Sequence, residues 1–194
     1  MCGDDSDLFS RYKWFSEQSC LTNKALSAVR PDIDRAFSGD ARAAGNLLLF
    51  NDLQLLLMQV FAFDGFVTAC LHVLGLPKEG SLTHRVQRLA SCELRQQKNY
   101  QALLCHVGEI AKVRDAWVHA QGAPSILKEP DWPAHFEDRF GLSARDGRLW
   151  INLSHVARDG KRVWSFVVCT LQTTAQLIWP RVQARMQRPR KSEA

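Results

Sequence analysis

The sequence predicts an all-α fold, an up-and-down helical bundle with a small β-hairpin insertion. Three observations predict it. A long apolar stretch from Leu47 to Leu76 is broken by polar residues at short intervals. Near residues 97–121, Leu103, Val107, Ile110 and Trp117 follow a three-and-four spacing that draws one helical stripe. Turn signals flanking short apolar runs are confined to the region of about 148–168. The length of 194 residues suits one domain, or one and a half, at ~150 residues each, which is enough chain for a substantial core. The expected organisation is an N-terminal helical extension over 1–39 and a bundle over 40–194.

The elements follow in order. Residues 6–22 and 31–38 read as two shorter helices, with Pro31 suited to a first helical turn. The central helix starts at Asp40, an N-cap type, and stops at Gly75-Leu76-Pro77. Its length would permit a membrane span, but Asn51, Asp52, Gln54, Gln59, Asp64 and His72 leave no clean apolar run, so a buried helix is the better reading and no membrane is expected. After Ser81 a helix runs to about Leu94 and another from about Gln97 to Gln121, ended by Gly122-Ala123-Pro124. Residues 123–147 hold three of the seven prolines and read as a long loop. Asp146-Gly147 and Asp159-Gly160 bracket Leu149 to Val156, and the run Val163–Val168 follows, giving the hairpin or a three-stranded meander. From about Cys169 to Met186 the pattern is again helical, with Pro180 expected to kink or restart it.

Apolar residues are 46% of the chain and charged ones 23%, which excludes wholesale disorder and coiled-coil architecture. The net charge of +5 is uneven: residues 1–64 sum to −3 and residues 65–194 to +8. Such a surface attracts polyanions, nucleic acid first, or is simply solvated. The six cysteines contain no C-x-x-C pair, and most sit among apolar residues where a thiol acts as a small hydrophobe. The acidic opening residues have no apolar run, so the cytoplasm is the simplest location.

Arg114 lies on the apolar stripe, four residues from Ile110 and three from Trp117. An unpaired guanidinium there would cost several kcal/mol, so a carboxylate, a wet subunit interface or an anionic ligand must compensate it. His119 falls in the last helical turn, where unpaired carbonyls favour an imidazolium, and Asp115 is four residues earlier, within reach. An arginine and a tunable histidine near one helix end suit phosphate chemistry.

The stretch Arg114-Asp115-Ala116-Trp117-Val118-His119 resembles the motif of the HEPN family of helical ribonucleases: Arg, a polar residue, then His after four to six intervening positions near the end of a core helix. The likeness covers about residues 40–186. Gln121 stands where a HEPN subset modified by a nucleotidyltransferase antitoxin has Tyr, so that regulation is not expected. The resemblance implies a homodimer whose two motifs face each other across the two-fold axis and form one cleft for an RNA substrate. The function it implies is metal-independent endoribonuclease, as a toxin or defence effector with a cognate antitoxin or regulatory protein. In this scheme Arg114, Asp115 and His119 form the site, and neither metal nor cofactor is needed. The alternatives are a non-catalytic module of the same shape that binds nucleotide, RNA or protein, and a purely structural dimer.

Other residues carry weaker expectations. Arg181, Arg185, Arg188, Arg190 and Lys191 form a basic C-terminal stretch that could hold an RNA backbone. Asp52 and Asp64 could pair with Arg114, although a cap or a solvated face is the commoner role. Trp132, Trp150 and Trp164, interleaved with Arg139, Arg145, Arg148, Arg158 and Arg162, suit packing of the hairpin more than base stacking. His72, His84 and His106 lack metal-ligand spacing and read as ordinary surface or core histidines.

Overall fold

Asp40 and Gly75 bound the helix on which everything else packs. Asp40 Oδ1 accepts the Ala43 N–H at 2.9 Å, and Gly75 takes the left-handed conformation (φ 66°) that ends the helix. The structure, a computed structural model, describes residues 3–123, 137–145 and 148–187. Its helices are α1 (Gly3–Ala36), α2 (Ala41–Leu74), α3 (Leu82–Leu89), α4 (Cys92–Gln96), α5 (Lys98–Ala120) and α6 (Val163–Met186). Two three-residue strands, β1 (Ser143–Arg145) and β2 (Arg148–Trp150), pair antiparallel. The protein is an all-α bundle with a small hairpin, as its sequence predicts.

One core runs through the bundle. Leu56, Val60, Phe63, Phe66 and Val67 of α2 meet Val107 and Ile110 of α5 and Val167, Leu171 and Ile178 of α6. Half of the apolar window of α2 is buried among these neighbours; by length and composition alone that helix could cross a membrane. Its opposite flank leaves Leu47, Phe50, Met58 and Phe61 exposed.

Several expectations need correction. The two short N-terminal helices are one helix, α1, running through an exposed Pro31. Its Leu8 and Phe15 enter the common core, with Phe15 stacked 6.1 Å from Phe66, so tertiary packing outweighs the backbone hydrogen bond that proline removes. Pro180 likewise sits exposed within a continuous α6. The helix expected from Ser81 to Leu94 breaks at Ala90, because Ser91 caps a new turn by accepting the Leu94 N–H at 3.2 Å.

The hairpin lies at 143–150 rather than 148–168. Val163–Val168, read as a strand, opens α6. The buried positions 163, 164, 167, 170 and 171 repeat at helical spacing, and burial on that face overrides the strand preference of β-branched residues. Between them the chain holds only an isolated bridge, Val156 to Arg162. Most of the expected long loop, and the Asp146-Gly147 turn, lie outside the described residues. The cysteines differ too. Among the described ones Cys70 alone is buried, its thiol pushed up to about 12 by burial, and Cys20, Cys92, Cys105 and Cys169 are exposed.

Candidate functional site

The α5 stripe delivers Arg114 to the flank of α2, where its side chain is 13% exposed. Its compensation is a pair of carboxylates. Asp64 Oδ2, on α2, lies 3.7 Å from Arg114 Nη1, and Asp115 Oδ1 lies 2.9 Å from Arg114 Nε. The Nε contact is an ion pair by distance but lacks the alignment of a hydrogen bond. The guanidinium also sits 5.9 Å from the centre of the Phe61 ring, a cation–π distance.

Asp64 is shared. Arg85 Nη2, from α3, is 2.5 Å from Asp64 Oδ1, and Arg85 Nη1 donates to Thr68 Oγ1 at 2.9 Å. Thr68 Oγ1 in turn donates to the Asp64 carbonyl at 2.9 Å. Four charged side chains from three helices therefore form one chain, Arg85–Asp64–Arg114–Asp115. Arg85 was missed in the sequence, although its signal matches that of Arg114: it lies on the α3 stripe of Leu82, Val86 and Leu89, all buried.

His119 is exposed in the last turn of α5, and no described residue hydrogen-bonds or ion-pairs with it. The expected contact from Asp115 does not form, because Asp115 turns to Arg114. Two residues later Gln121 (φ 49°) and Gly122 (φ 79°) end the helix, with the Gly122 N–H donating to the Ala116 carbonyl at 2.8 Å. The Gly122 carbonyl accepts the Leu149 N–H at 2.8 Å, which fixes β2 against this helix end, and Trp150 packs on Trp117 with ring centres 5.1 Å apart.

The other sequence candidates are placed elsewhere. Arg181 Nη1 donates to the carbonyls of Arg88, Leu89 and Ala90 at 2.9–3.0 Å, satisfying the end of α3. Arg185 is exposed, and Arg188, Arg190 and Lys191 lie outside the described residues. Asp52 is buried: its Oδ2 accepts the Leu153 N–H at 3.0 Å and Arg30 Nη2 at 3.3 Å, and so ties the segment before α6 to α2. Trp164 is buried in the core. His106 packs edge-on against Phe166 at 5.0 Å. Burial holds its pKa below the usual histidine value against the charge of Glu109, and Arg139 and Lys161 push the same way as burial. Among the described residues no three His, Cys, Asp or Glu side chains gather as a metal site.

Fold and site together define a helical bundle with a partly buried four-charge network at one flank and an exposed histidine at the neighbouring helix end. Comparison with protein-family models, with curated proteins and with solved structures finds no match to this chain.

Proposed function

We propose that the protein is a dimeric, metal-independent endoribonuclease acting in the cytoplasm, with its cleft where the α5 ends of two copies meet. The observation that carries this reading is the position of Arg114 at the end of an uncovered apolar strip. Leu47, Phe50, Met58 and Phe61 lie at spacings of three, eight and three along α2, each at least 39% exposed, and Phe61 touches the guanidinium. A second copy covering that strip would bring two Arg114–His119 segments together.

The chemistry follows from the groups. Asp64 and Asp115 hold Arg114 through Nη1 and Nε, so Nη2 remains to meet a phosphodiester oxygen. One His119 imidazole takes the ribose 2′-OH proton, and O2′ attacks phosphorus. The P–O5′ bond breaks, and the partner's His119, as imidazolium, protonates the leaving oxygen. The products are a 2′,3′-cyclic phosphate and a 5′-OH.

A second reading has its own support. The two carboxylates already compensate Arg114, which also fits a non-catalytic bundle that binds RNA or protein. Incubation with RNA in EDTA separates the two. Cleavage to a cyclic phosphate, with a 2′-deoxy substrate spared, supports the enzyme; intact RNA supports the binding module.

A further inference from the structure

The hairpin carries a tryptophan that the core does not use. Leu149 is 2% exposed and faces the bundle, and side chains alternate along a strand, so Arg148 and Trp150 stand on the opposite face of β2. Arg148 is exposed and Trp150 half-buried. Trp117, three residues after Arg114 and so on the same side of α5, packs against the common core. Trp150 does not, and its ring contact among the described residues is with Trp117, at 5.1 Å and tilted by 59°. We propose that Trp150, leaning on Trp117, is a stacking platform for an unpaired nucleobase of a single-stranded RNA, and that Arg148 and Arg114 meet the phosphates that flank this base. Arg114's part in this rests on the phosphodiester reading above; Trp150's part does not.

Three observations converge on it. First, anchoring the hairpin does not call for an indole at this position. β2 is already tied to the end of α5 by the Leu149 N–H, which donates to the Gly122 carbonyl at 2.8 Å, and the chain is pinned to the core by buried Leu149 and Ile151. An indole on the far face of the strand leaves part of its apolar ring in water, and a stacked base covers it. Second, the support beneath Trp150 is rigid. Gly122 lies so close to Trp117 that a Cβ there would come 2.8 Å from the ring, so Gly122 and Trp150 confine that ring between them. A platform held in place has little freedom left to lose when a base stacks on it. Third, the charge fits a nucleic-acid backbone. Arg148, two residues from Trp150 on the same face of β2, forms no ion pair or hydrogen bond among the described residues, and residues 65–194 sum to +8. An aromatic face beside a cation grips an unpaired base by stacking and its backbone by charge. A duplex keeps its base faces stacked on one another, so the occupant is a single strand.

The full chain is titrated with a labelled 2′-O-methyl oligoribonucleotide of about eight residues, which cannot be cut, while anisotropy and tryptophan fluorescence are recorded. The strand should bind and quench the fluorescence. A strand of equal charge made of abasic residues, and a duplex of the same length, should each bind at least about fivefold more weakly and leave the fluorescence unchanged. Trp150→Leu keeps apolar bulk without an aromatic face. It should melt cooperatively, lose at least about fivefold in affinity and lose most of the quenching, whereas Trp150→Tyr should lose less. Arg148→Ala should lower the slope of log affinity against log salt by about 0.7. An abasic strand or a duplex that binds as tightly as the intact strand overturns the platform, even if Trp150→Leu fails to fold. So does a folded Trp150→Leu that binds as the parent does, and an unchanged salt slope removes Arg148 from the site. Failure of the enzyme reading shows separately. Base-dependent quenching with unmodified RNA left intact in EDTA keeps the platform and removes the catalysis; cleavage with undiminished affinity in Trp150→Leu does the reverse.

Discussion

Asp64 stands between Arg85 and Arg114, 2.5 Å from one guanidinium and 3.7 Å from the other, and so serves as counter-charge to two largely buried cations. Removing the shared partner costs more than removing Arg114, because it leaves Arg85 without a counter-charge and Arg114 with Asp115 alone, whereas the reverse change leaves Asp64 paired with Arg85. Asp64→Ala should therefore destabilise the fold by about 2–3 kcal/mol, less than a fully buried pair because all three side chains keep some exposure. Arg114→Ala should cost about 1 kcal/mol, since Asp64 retains Arg85. Urea unfolding of the two variants checks the order, and equal losses would contradict it.

For the proposed enzyme, His119→Ala should lower RNA cleavage by about 10²–10⁴-fold without altering the urea midpoint, because the side chain is exposed and no described residue bonds to it. Arg114→Ala should also abolish turnover, by removing charge stabilisation. If His119→Ala retains the parent's cleavage rate, the catalytic assignment fails.

Asp52 makes stability depend on pH. Burial raises its pKa above the ordinary 3.8, against the opposing effects of the Leu153 N–H and the Arg30 charge. The folded state thus holds the proton more tightly than the unfolded chain does, and stability falls as pH rises from the unfolded value towards the folded one. Asp52→Asn keeps an acceptor for Leu153 and removes the titration. The stability of the parent relative to this variant should decline across that window and level off above it. Unfolding curves at stepped pH from about 3.5 to 7 measure the difference, and a constant difference would rule the effect out.

Two glycines should respond in opposite directions. A Cβ at Gly122 would lie 2.8 Å from the Trp117 ring in a residue already at φ 79°. Gly122→Ala should cost at least about 1–2 kcal/mol from the left-handed conformation alone. Gly65 is helical with open space beside it, so Gly65→Ala should stabilise by about 1 kcal/mol. Thermal melts of the two variants should shift to opposite sides of the parent.

Covering the α2 strip is the remaining structural expectation. Met58→Lys and Phe61→Lys should leave the parent's dimer monomeric in light scattering, as a cation in each copy would face its equivalent across a two-fold seam. A parent protein that is monomeric at micromolar concentration would remove the composite cleft from the proposal.

What the sequence by itself determined was local. Asp40 and Gly75 mark the ends of α2 because an N-cap oxygen and a left-handed glycine act on the backbone beside them. The stripe of α5 and the anomaly of a cation upon it were legible for the same reason, since helical spacing needs only neighbours along one chain. Tertiary structure decided what lay across the gap between elements. Whether Val163–Val168 became strand or helix depended on which face α2 and α5 would cover, a matter of packing rather than propensity. That Arg114 is compensated by Asp64, fifty residues away, and that Arg85 shares the same carboxylate, depended on how α2, α3 and α5 cross. Asp115 could reach either Arg114 or His119 from its place in the sequence. It turned to the guanidinium because burial beside α2 makes that charge the more costly to leave alone.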